Sequence, residues 1–126
     1  MRNIKGAAFY ILLLLCSLVL AGCSQKADES KPIGEVKAEA EKMDTAQLKA
    51  AAMKYKEAIM AKKDDMENVA SKLEDIPVTE MLGDKAKEIN AQIENIGKSV
   101  SALQERFEVY YNKLKEKGGD TSGLDI

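Results

Sequence analysis

Apolar positions between residues 48 and 114 recur at alternating steps of four and three, and that spacing predicts two amphipathic helices. In a first arm Leu48, Ala52, Tyr55, Ile59, Lys62, Met66, Val69, Leu73 and Ile76 share one stripe. In a second arm Leu82, Ala86, Ile89, Ile93, Ile96, Val100, Leu103, Phe107, Tyr110 and Leu114 do the same. Such a stripe is the seam of a coiled-coil-like pair, whereas strands would need a step of two. Pro77 divides the arms, because proline lacks a backbone N–H and clashes with the preceding turn of a helix. Around it the chain is rich in Ala, Lys, Glu, Met and Leu, all strong helix formers. The expected fold is all-α, a long antiparallel helical hairpin with helices at about 35–76 and 79–117.

Thr79 is placed to cap the second helix, with Glu80 beside its positive end. A turn that short pairs Leu73 with Leu82, Val69 with Ala86, Met66 with Ile89, Ile59 with Ile96, Tyr55 with Val100 and Leu48 with Phe107. Tyr110 and Leu114 then need cover from residues before Asp44, where Val36, Ala40 and Met43 form a short stripe out of phase with Leu48. Asp44 and Gln47 resemble a capping pair. We read this region as a continuous or slightly kinked rod; the other reading makes it a short extra N-terminal helix. Lys113, Lys115 and Lys117 suit the negative end of the second helix, and Gly118 suits its stop. Residues 118–126 are then expected to be a short, frayed tail.

The amino end has a different pattern. Arg2 and Lys5 precede an apolar run from Ala7 to Leu20, the order of a secretory leader, and the run is short for a membrane-spanning helix. An uncleaved anchor is the other reading. The run stops at Leu20, Ala21, Gly22 and Cys23. These residues closely resemble the lipobox of bacterial lipoproteins. The resemblance covers only the leader and its junction. It implies cleavage after residue 22, a diacylglycerol thioether on Cys23 with further acylation such as palmitate, and a lipid-anchored protein of the cell envelope. Ser24 differs from the aspartate of many inner-membrane lipoproteins, which favours the outer membrane in a host that has two. Residues 24–34 are polar and contain Pro32 and Gly34, so residues 23–34 read as a lipidated flexible tether.

Removing residues 1–22 takes away Arg2 and Lys5 but no acid, leaving 17 of the 19 cations against 21 acids, a net charge near −4. That balance argues against a nucleic-acid partner. Cys16 would leave with the leader and Cys23 would carry lipid, so the body has no cysteine for a disulfide. Histidine and tryptophan are absent from the whole chain, and no nucleophile stands near a recognisable base. We therefore expect no enzyme, no metal and no cofactor beyond the covalent lipid. Asp64 and Asp65 read as solvated face.

Lys62 falls in the seam, where its stem can lie along the groove with the charge in water, or where it can fix the register. Met53 with Met60, and Gly83 with Gly97, share stripes beside the seam and are the candidate interaction surface. The expected role is a non-enzymatic helical scaffold or adaptor that binds itself or another envelope protein. The alternative is a lipoprotein carrying a small apolar ligand or lipid near Tyr55, Val100, Phe107 and Tyr110.

Overall fold

A computed structural model describes residues 26–126, and these form three helices without a strand: α1 (Ile33–Lys42), α2 (Thr45–Glu74) and α3 (Asp84–Glu116). α2 and α3 are the antiparallel hairpin, and α1 packs against α3 near its carboxy-terminal end.

The first arm is not a continuous rod. Met43 is extended, and a complete capping box opens α2: the Gln47 amide donates to Asp44 Oδ1 at 2.8 Å and the Asp44 amide donates to Gln47 Oε1 at 3.0 Å. An unbroken helix would forgo both bonds. The break also lets the out-of-phase stripe of α1 turn inward, where Val36 and Ala40 are completely buried. These residues supply the cover that Tyr110 and Leu114 require.

At the far end the connection is longer than the spacing predicts. Thr79 caps no helix; it lies in a 3-10 turn, Val78–Glu80, and α3 starts only after Gly83 in its cap position. Leu82, expected opposite Leu73, is 89% exposed. The local reason is that the amides of Glu80, Met81 and Gly83 are bonded within the turn, to the carbonyls of Pro77, Val78 and Glu80. The later start slides the whole register. Tyr55 stacks on Tyr110 with ring centroids 5.6 Å apart, and Met66 faces Gly97. Partners are thus displaced by about two to three helical turns from the expected pairs.

The seam itself is as the periodicity predicts. Leu48, Ala52, Tyr55 and Ile59 of α2 are buried against Val100, Leu103, Phe107, Tyr110 and Leu114 of α3. A smaller cluster of Ile76, Ala86 and Ile89 closes the distal end.

The tail is part of the body rather than frayed. α3 ends in a Schellman stop, with Gly118 at φ 69°, the Gly119 amide on Leu114 O at 2.9 Å and the Gly118 amide on Lys115 O at 3.0 Å. That turn sends the chain back along α2, where Lys49 pairs with Asp120 at 2.5 Å and Lys56 donates to Gly123 O at 2.8 Å. Leu124 is buried in the main cluster.

Candidate functional site

Leu20, Ala21, Gly22 and Cys23 lie outside the described residues. The segment that follows them does not behave as a free tether. From residue 27 onward it is fastened across the hairpin by contacts with all three helices. Ala27 packs on the main core cluster, and the Tyr55 hydroxyl donates to Asp28 O at 3.0 Å. Ser99 donates to Glu29 at 3.0 Å, and Lys31 forms an ion pair with Glu39 of α1.

Arg106 is the centre of this fastening. It is the one buried charged residue among those described, and its guanidinium is satisfied by backbone: Nε donates to Lys31 O at 2.9 Å, Nη2 to the same oxygen at 2.5 Å, and Nη1 to Ala102 O at 2.6 Å. A rigid fork of donors suits such a site better than a lysine ammonium. Arg106 is also the only arginine after Arg2, a sequence signal that points to geometry rather than to charge alone.

Two phenols lie under the segment. Burial pushes the Tyr55 hydroxyl above its ordinary pKa, and burial with the adjacent Glu39 carboxylate pushes Tyr110 well above its own. Both therefore remain neutral donors at ordinary pH. Outside, the Ser30 side chain holds the Asp28 carboxyl below the usual range, assisted by the Ser30 amide. No buried side-chain polar atom among the described residues is left without a partner.

Between this segment and α2 runs an open groove of about 640 Å³, lined in part by Lys26, Met43, Gln47, Ala51, Lys54 and Tyr55. Val100, Phe107 and Tyr110, expected around a ligand between the helices, are buried in the seam with Tyr55. Tyr55 and Tyr110 both border the groove, whereas Val100 and Phe107 do not.

The candidate interaction stripes do not come together. Met53 is partly buried, with its Cε beside Gly123 of the tail, and Gly97 backs onto Met66. Gly83 precedes α3, so it shares no helical stripe with Gly97. Met60, at 50%, and Gly83 are exposed. Lys62 is half-buried beside the seam, in keeping with a stem laid along the groove.

The periodicity missed the exposed apolar group at the hairpin tip. Val78, Met81 and Leu82 project from the turn. Leu82 fitted the seam stripe by spacing, and only the late start of α3 turns it outward. Among the described residues no cluster of His, Cys, Asp or Glu could hold a metal ion, and no helix is long and apolar enough to cross a membrane.

Comparison with known proteins returned no matching family model, no matching curated protein and no matching solved structure.

Proposed function

We propose that this chain is a bacterial envelope lipoprotein, anchored by lipid on Cys23, whose helical body serves as a non-enzymatic adaptor. The observation that carries the reading is the lipobox at residues 20–23, placed where a leader-like apolar run stops. A diacylglycerol with a further acyl chain gives lasting membrane attachment, since one chain alone binds only marginally.

The adaptor role draws support from the hairpin tip. Val78 and Leu82 are each 89% exposed, and apolar side chains grouped at the end of a rod favour a protein partner. Exposed charges of both signs, Lys72, Glu74, Asp75, Glu80, Asp84 and Lys85, flank them in sequence, so the partner surface is apolar with a mixed polar rim.

Two measurements test the reading. Metabolic labelling with a clickable fatty acid is expected to mark the wild-type chain and not Cys23→Ser; label on both would remove the anchor. A photo-crosslinking residue at position 78 or 82 is expected to trap one envelope protein or a second copy of the chain. Crosslinks from position 64 equal to those from the tip would remove the docking role.

Carriage of a small apolar ligand is a second reading, favoured only by the groove beside Tyr55 and Met43. Native mass spectrometry of protein extracted in mild detergent decides it by the presence or absence of retained mass.

A further inference from the structure

From the way the chain leaves the body, we infer that the hairpin lies along the membrane, with the flank that carries residues 26–31 facing the headgroups of its own leaflet. The inference rests on lipid attachment at Cys23 and adds a direction to it.

Ala27 is already packed on the core. Ala27 stands four positions after Cys23, with three residues between them, and no conformation stretches four peptide steps beyond about 14 Å. The departure point is far from either end of the rod. It lies over Tyr55 and beside Ser99, and from Ser99 the helix runs about 22 Å back to Asp84 and about 26 Å on to Glu116. Both arms exceed the reach of the linker. A rod standing upright would drive one of its ends through the headgroups into hydrocarbon.

Neither end suits immersion. One carries Lys113, Lys115 and Lys117, and the other has exposed Lys72, Glu74, Asp75, Glu80, Asp84 and Lys85 beside its apolar residues. Charges in the bilayer core are costly. The inclination of the rod to the membrane plane is therefore limited to about 40°, which is where the linker reach matches the shorter arm.

Helical geometry fixes which flank is down. On α2 the positions that line the groove beside the amino-terminal segment are Gln47, Ala51 and Lys54, whereas those that meet the tail are Lys49, Met53 and Lys56. At about 100° per residue these sets project to opposite sides of the seam. The amino-terminal segment thus covers one flank and the tail the other. On the lower flank Lys26, Lys31 and Lys54 are mixed with Asp28, Glu35 and Glu39, a surface for hydrated headgroups rather than for insertion. The tip is consequently held close to the bilayer, and its partner is an envelope protein whose docking surface lies at that same membrane face.

The test uses full-length lipidated protein reconstituted into phosphatidylcholine vesicles containing a nickel-chelating lipid. Nitroxide labels go on single cysteines at Lys54→Cys, Ser122→Cys and Val78→Cys. Relaxation by the headgroup nickel is expected to be several-fold stronger at position 54 than at position 122. Inserting a Gly/Ser linker of about twelve residues between Ser24 and Gln25 is expected to erase that difference while leaving vesicle flotation intact. Equal relaxation at 54 and 122 without the linker, or the strongest relaxation at 78, would overturn the orientation. Flotation that survives Cys23→Ser would instead overturn the anchoring on which it rests.

Discussion

Leu124→Ala separates a tail that belongs to the core from one that merely follows the last helix. The side chain is 1% exposed and sits among the main cluster residues, two residues before Ile126. Fully burying a leucine contributes about 1.5–3 kcal/mol, and truncating it leaves a cavity that raises the cost towards about 2–5 kcal/mol. The lower half of that range applies here. Once the mutant tail detaches no further contact can be lost, and its polar fastenings, Lys49 to Asp120 and Lys56 to Gly123, are exposed and contribute little. A loss of about 2–3 kcal/mol is therefore expected. For a domain of this size that lowers the melting temperature by roughly 10 °C or more. The control is Ile126→Ala, at a position 49% exposed, where the change should stay within about 0.5 kcal/mol. Both are measured by urea and thermal unfolding followed by circular dichroism. Equal stabilities for the two variants would refute the placement of the tail.

Arg106→Met removes the donors that hold Lys31 O and Ala102 O; a loss of about 1–3 kcal/mol is expected, with faster amide exchange over residues 28–31. Arg106→Lys should not restore that protection, because an ammonium lacks the forked geometry. Gly97→Ala places a methyl at ordinary contact distance, 3.7 Å, from Met66 Cε, so it should stabilise the helix by about 0.5–1 kcal/mol. Gly119→Ala drives a Cβ to within 2.1 Å of Leu114 Cδ1 and should destabilise by about 1–3 kcal/mol; denaturant midpoints of the two variants read out the contrast. The raised pKa values of Tyr55 and Tyr110 have a fixed consequence. The folded state keeps protons that the unfolded chain releases near pH 10, so their contribution is complete below about pH 10 and is lost as pH rises above it. Tyr110→Phe should flatten the alkaline fall in stability, measured as unfolding midpoint against pH.

The seam was legible because its signal repeats over many turns. Leu48, Ala52, Tyr55, Ile59 and the α3 series from Val100 to Leu114 each confirm the same period, so a misplaced residue changes little. The stop at Gly118 was legible because only glycine fits there, whereas the pair of Asp44 and Gln47 was visible but the helix was read through it, since nothing in the apolar spacing forbids a rod. The register was not. It depends on a single turn, and Thr79 resembled a cap as well as any residue near Pro77, while the 3-10 bonds that delay α3 leave no periodic trace. The same holds for Ala27, Arg106 and Leu124. Each packs through a contact with residues remote in sequence, and an isolated apolar or basic residue in a polar stretch carries no phase. The accessibility of the candidate interaction residues was not legible for the related reason that it depends on what else covers a stripe; the tail meets Met53, and Met66 lies behind Gly97.

The distribution of buried residues along the rod has its own consequence. At the end that carries α1, the amino-terminal segment and the tail also wrap the hairpin, and twelve residues form one buried cluster. Beyond Ile59 the two helices have only each other. Lys62 and Met66 are half-covered, Ile76, Ala86 and Ile89 make a separate small cluster, and the tip is bare. Few buried apolar contacts and solvated backbone are the conditions for low local stability, so the distal arm should open before the wrapped part. In the proposed adaptor this gradient separates two tasks. The rigid part keeps a defined posture on the bilayer, and the softer arm can adjust its turn to the surface it meets. Covering Val78, Met81 and Leu82 with a partner would then stabilise the distal arm more than the anchored body. Slower amide exchange on binding should accordingly be concentrated between residues 66 and 93, on the side of the seam farthest from the lipid.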